Sequence, residues 1–217
     1  MDWSPLAISI QTSLTATGCA LLLGLLASGK VVRLRGRSRA LLDGAFTLPM
    51  VVPPTVLGFA LLLLLGRNSP LGRFLLFFGF PVVFTRAGAV IAATVVAFPL
   101  AYRSLRSALE QVDPDVLAAA RTLGMSELRV FWLVRLPMAA PGAAGGAVLA
   151  FSRALGEFGA TLMLAGNVPG KTQTIPMAIF FAAEGGDGRT ALAWVGVVCV
   201  LSFVSVAALN ALSRGRP

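Results

Sequence analysis

The sequence predicts an all-α integral membrane protein of about five transmembrane helices, with a two-helix segment facing the cytoplasm. Apolar residues make up 57% of the 217 and charged residues only 12%, against roughly 25% charged in a soluble domain. So little polar surface cannot coat a water-soluble globule. The apolar residues also gather into runs long enough to cross a hydrocarbon core, which takes about 20 residues of helix. A long gap between two of these runs carries complete helix start and stop signals.

The runs cover residues 3–29, 44–66, 74–102, 138–165 and 190–213 of a single domain, 1–217. Trp3–Gly29, Gly44–Gly66 and Thr190–Ser213 contain no charge, Phe74–Tyr102 is interrupted only by Arg86, and Leu136–Gly170 holds only Arg153 and Glu157. The apolar stretch 172–183 is about a dozen residues long, which suits a re-entrant or interfacial piece better than a span. Asp2 stands where a signal peptide carries positive charge, and the first run is too long for a signal core, so it is expected to remain as a helix.

Proline removes a helix hydrogen bond. Pro49, Pro53 and Pro54 in the second run, with Pro81 and Pro99 in the third, read either as packing kinks or as bends beside a pathway. GAAGGA, Gly142–Ala147, suits close helix contact. Cys19 and Cys199 lie inside apolar runs and read as small buried residues. The chain has no histidine, so imidazole acid–base chemistry is excluded and no metal centre is expected.

A net charge of +9 raises the question of nucleic acid, but the basic residues form no stripe interleaved with aromatics. They sit between apolar runs, and no nucleic-acid partner is expected. Lys30, Arg33, Arg35, Arg37 and Arg39 fill the first gap; Arg103, Arg106, Arg121, Arg129 and Arg135 fill the third; Arg214 and Arg216 end the chain. The other side has Arg67 and Arg73, then Lys171 and Arg189 partly balanced by Glu184 and Asp187. The positive-inside rule therefore places the N-terminus outside and the C-terminus in the cytoplasm.

The gap 103–137 is more than a linker. Asp113 supplies an N-cap carboxylate, Pro114 suits the first helical position, and Asp115 places negative charge at the positive helix end. The predicted helix runs through Val116–Leu123 and stops at Gly124. Ser126 caps a second helix, Glu127 to Leu136, ended by Pro137. Val116, Leu117, Leu123, Val130, Phe131 and Trp132 need a surface to bury against, either this chain's own helix ends or a docking partner.

Ala118–Pro137, AAARTLGMSELRVFWLVRLP, resembles the EAA loop of ATP-binding-cassette importer permeases. That pattern is Glu-Ala-Ala, three residues, Gly, nine residues, an aliphatic, any residue, then Leu-Pro. Ala119, Ala120, Gly124, Val134, Leu136 and Pro137 fall on its positions, and Ala118 stands where the glutamate does. The resemblance implies a type I ABC importer permease fold. It also implies that this loop, Leu123 included, fits a groove on an ATPase subunit and transmits its closure to the membrane helices. Alanine at 118 removes one polar contact from that interface.

Leu48–Gly72, Val96–Asp113 and Phe151–Phe180 resemble molybdate-importer permeases. Sulfate and thiosulfate permeases share an element like Ala154–Ala160, ALGEFGA, while GNVPGKTQT, Gly166–Thr174, followed by Ile175–Pro176, favours molybdate. Tungstate is chemically alike, so sulfate- and tungstate-type permeases stay as alternatives. The implied assembly is a homodimer in a bacterial or archaeal inner membrane, above two ATP-binding cassette subunits that hold ATP and magnesium. In it a periplasmic molybdate-binding protein is expected to deliver the anion. The chain has no G-x-x-x-x-G-K-[ST] motif, so it is expected to be a transport subunit rather than an enzyme and to carry no cofactor. An autonomous secondary transporter is the alternative from another class.

Charges inside a span are costly and point to function. Arg153 and Glu157, four apart, are expected to share a helix face about 18 Å past Pro141, near mid-bilayer. They read as an ion pair that stabilises the bundle or as groups that line or gate the pathway, as do the bends at Pro53 and Pro54. Arg86 either snorkels to the interface or recruits anions at the outer mouth. Thr172, Gln173 and Thr174 open a segment expected to be an outer gate or a contact for the delivery protein.

Overall fold

The computed structural model describes residues 2–214, and every element in them is helical. The first, α1 (Ser4–Val31), has Pro5 in its first turn, where a missing N–H costs nothing, and Lys30 in its last, where a cation suits the helix dipole. It packs along α5 (Arg86–Glu110) and α8 (Leu136–Leu155). Alanines make this contact: Ala16 and Ala20 meet Ala93, Ala97 and Ala101 from α5 and Ala150 and Ala154 from α8, all buried. Lipid tails are as apolar as any side chain, so such helices associate by close backbone approach. A Cβ on Gly146 would lie 2.5 Å from the Ser104 Cβ, which places part of the GAAGGA stretch in that contact.

Among the described residues, four helices are long and apolar enough to cross a membrane, and a fifth span results if one bent pair counts as a single crossing. That pair is α2 (Gly36–Val51) and α3 (Pro54–Leu65), meeting at 109°. The run 44–66 is therefore not one straight helix. A residue before proline is driven out of the helical region, and two prolines in succession force both Val52 (ψ 134°) and Pro53 (ψ 136°) to be extended.

The run 74–102 is also divided. Its first residues lie in α4 (Pro70–Phe77), and α5 begins only at Arg86 and continues to Glu110, well inside the expected loop. Between them Gly79 (φ +76°) and Phe84 (φ +59°) adopt left-handed backbone conformations. Phe84 is costly in that region. It is held there by its N–H bond to the Leu164 carbonyl (3.1 Å) and by Gly166, whose Cβ, if present, would lie 2.6 Å from the ring.

The capped helix of the long gap is α6 (Pro114–Thr122), with Asp113 accepting from the Asp115 N–H at 2.8 Å and Gly124 at φ +78° after its end. The second helix differs from expectation because it does not stop at Pro137. It starts as α7 (Glu127–Arg129), widens to a π-helical turn over Val130–Arg135, and runs on into α8. The wide turn moves the backbone carbonyls that a proline ring and its missing N–H would otherwise disturb.

The run 138–165 breaks in turn at Gly156–Phe158, after which α9 (Gly159–Ala165) resumes. Residues 172–183 become a turn and then α10 (Ile175–Glu184), which packs on α11 (Gly188–Arg214) through Ile175, Ala178 and Trp194.

Candidate translocation site and coupling surface

The two broken helices meet. A Cβ on Gly159 would lie 3.1 Å from Thr55 Cγ2, and one on Gly58 would lie 2.7 Å from the Ala160 Cα. The starts of α3 and α9 therefore stand side by side, so the bends at Pro53–Pro54 and at Gly156–Phe158 belong to one place in the fold. Transporter binding sites are commonly built from paired discontinuous helices of this kind.

Glu157 lies in the second break, not on the α8 face shared with Arg153. One of its carboxylate oxygens pairs with Arg153 Nη1 at 2.8 Å, and the other accepts the Ala160 N–H at 2.8 Å, capping α9. Glu157 is 2% exposed. Arg153 is 32% exposed over its side chain, and its remaining N–H groups meet no acceptor among the described residues. A buried carboxylate, ion-paired through one oxygen and hydrogen-bonded through the other, thus holds a guanidinium whose outer edge stays available. Such an edge can attract an oxyanion, while the neighbouring negative charge keeps the attraction weak.

Arg86 and the loop 166–174, expected on the outer side, form a clasp. Arg86 Nε donates to the Lys171 carbonyl at 3.1 Å, tying the start of α5 to the loop 166–174. Thr172 Oγ1 donates to the Gly166 carbonyl (2.9 Å) and accepts the Val168 N–H (3.1 Å), and Ile175 N–H reaches Ser9 Oγ at 2.8 Å. Thr172 and Thr174 are buried and Gln173 half-buried, so the two threonine hydroxyls offer no surface to a delivered ion or protein. Arg86 is exposed, and its guanidinium reaches the loop carbonyls of Lys171 and Gly170.

The segment 111–137 divides its apolar residues. Leu117, Ala120 and Val130 bury against Leu109, Val112 and Ala139, with Val134 and Leu136 packed beside them. Leu123 is 82% exposed, Leu128 66% and Trp132 48%. Ala118, Ala119 and Pro137 are also exposed, and Gly124 turns the chain between the helices. Arg121 bridges that turn to Glu127 at 2.5 Å.

One cluster was missed by the sequence reading. Asp43 of α2 bonds both Arg106 and the Tyr102 hydroxyl of α5, and Glu110 bonds Arg106 and Arg39. These bonds, with the Phe46–Phe98 and Phe46–Tyr102 aromatic contacts, hold α2, which buries no residue of its own. The available signal was that Asp43 is the sole acid between Lys30 and Gly66.

A family model described as "Binding-protein-dependent transport system inner membrane component" matches residues 20–215. The chain belongs to that family. The permease is 42% identical over 203 residues to the "Putative molybdenum transport system permease protein YvgM" of Bacillus subtilis (strain 168), covering 93% of this chain and 89% of that protein. It is 39% identical over 215 residues to the "Molybdenum transport system permease protein ModB" of Escherichia coli (strain K12), covering 98% and 94%. Its fold is shared with a chain of the bacterial alginate ABC transporter solved with an alginate pentasaccharide-bound periplasmic protein. That likeness has a TM-score of 0.71 at 17% identity, over 97% of the permease and 78% of the other chain. The permease is thus a multi-pass inner-membrane transport component with the ABC importer permease fold.

Proposed function

We propose that this chain is the membrane-spanning subunit of an ATP-driven importer that carries molybdate across the cytoplasmic membrane by alternating access. The observation that carries the substrate is the near-full-length identity to molybdenum permeases, at 42% and 39%. An arginine with an exposed edge beside two helix breaks supports this reading, since with Glu157 next to it the guanidinium would attract an oxyanion without trapping it.

The working assembly is two copies of the chain above two ATP-binding cassette subunits, which hold ATP and magnesium, with a periplasmic molybdate-binding protein outside. The N-terminus lies outside and the C-terminus inside, by the distribution of arginine and lysine. The exposed Leu123, Leu128 and Trp132, spread from the end of α6 through α7 to the π turn, form the face that docks on the ATPase, with Ala118, Ala119, Ala120 and Gly124 shaping it. Val134, at the end of the π turn, and Leu136 and Pro137, at the start of α8, carry the coupling from that face into α8. Arg153 lines the path, Glu157 positions it, Pro53 and Pro54 set the adjoining bend, and Arg86 with Thr172–Thr174 braces the outer loop.

The test is uptake into vesicles containing the permease, its ATPase and its binding protein. Molybdate should enter only with ATP inside the ATPase compartment, and tungstate should compete better than sulfate. Accumulation without ATP would refute the importer reading in favour of a secondary transporter. ATP-dependent uptake in which sulfate outcompetes molybdate would refute the substrate.

A further inference from the structure

Between α1, α2 and α5 runs an open groove of about 390 Å³, walled by Leu26, Ala27, Phe46, Val95 and Phe98 and reaching Lys30. The groove exists because α2 is tethered by the Asp43–Arg106 cluster and a few aromatic edges rather than by a continuous apolar seam. Thr94, which also borders it, turns its hydroxyl away to donate to the Val90 carbonyl at 2.7 Å. Water therefore finds almost no partner in the groove, and ordered water needs two or more. An acyl chain needs none.

Lys30 supplies the second requirement. It lies exposed in the last turn of α1, and no carboxylate pairs with it among the described residues. The acids on the neighbouring helices are already engaged, Asp43 by Arg106 and Glu110 by Arg39 and Arg106. A lysine at a helix end beside hydrocarbon reaches toward the headgroup layer. There an uncompensated cation selects negative charge.

We propose that this groove seats an anionic phospholipid, with one acyl chain along Leu26, Phe46 and Phe98 and its phosphate at Lys30. The lipid fills the seam between α2 and the α1–α5 pair that the polypeptide leaves open. It goes beyond the transport reading and does not depend on which anion is carried.

The test is native mass spectrometry of the purified full chain, with the subunits that co-purify, exchanged with phosphatidylglycerol or phosphatidylcholine. Phosphatidylglycerol should be retained in preference. Lys30→Gln should lower its retention about fivefold, the effect of about one surface cation, and leave phosphatidylcholine unchanged. Ala27→Phe, or Val95→Phe from the facing helix, fills the groove and should lower retention of both. Equal phosphatidylglycerol retention by the wild type and Lys30→Gln would overturn the proposal. So would groove-filling variants that retain lipid fully, or that shift the oligomeric state alone, since a second copy of the chain would then be what covers the groove. No oxyanion enters the measurement, so its failure leaves the transport reading standing.

Discussion

Arg153 is bonded through one guanidinium nitrogen and exposed over a third of its side chain, while its partner Glu157 is buried and also caps α9. The two therefore tolerate different substitutions. Glu157→Gln keeps an acceptor for the Ala160 N–H, whereas Glu157→Leu leaves that N–H unsatisfied, a loss of about 1–3 kcal/mol. The double variant Arg153→Leu, Glu157→Gln is expected to fold and keep delivery-stimulated ATP hydrolysis, with uptake reduced about tenfold or more. Uptake at the wild-type rate would remove the pair from the pathway. The coupling loop separates in the same manner. Leu123→Asp, at an exposed site, should leave thermal stability unchanged and abolish co-purification with the ATPase. Leu117→Asp puts a charge into the cluster of Leu109, Val112 and Val130 and should destabilise the chain by about 2–5 kcal/mol. Equal effects of the two would mean that the loop has no docking face.

At the scale of elements, the bends rest on local chemistry but their meeting does not. Pro53–Pro54 forces extended backbone wherever it stands. That this bend abuts the break at Gly156–Phe158 depends on Gly58 and Gly159, which let α3 and α9 come close. Gly58→Val should wedge the pair apart at a cost of about 1–3 kcal/mol from overpacking, seen as a lower melting midpoint in detergent. Gly44→Val, at an open position on α2, is the control and should lower it little. A similar midpoint for both would show that α3 and α9 do not press together. The α6 helix was legible because its cap, proline and terminal glycine are all local signals. The passage of the following helix through Pro137 was not, since a π turn depends on how Val130 and Arg135 sit against α5: Val130 is buried, and Arg135 donates to the Leu109 carbonyl at 2.9 Å.

For the whole molecule, the proposed orientation rests on the charge distribution, and labelling tests it. In a Cys19→Ser, Cys199→Ala background, Ser126→Cys should react with a membrane-impermeant thiol reagent only from the cytoplasmic face. Lys171→Cys should react only from outside, and the reverse pattern would invert the topology. Both positions are exposed.

By itself the sequence determined membrane residence, the approximate number of spans and the α6 helix with its turn, because each follows from hydropathy or from a few neighbouring residues. It also located Arg153 and Glu157 as a pair, through the rarity of charge in an apolar run. The tertiary structure decided the rest. It put Glu157 at a break and not on a helix face, closed Arg86 onto carbonyls 84 and 85 positions away, and joined Asp43 to Arg106. These contacts lie between residues far apart in the chain, where side-chain periodicity carries no information about which helix will be the neighbour.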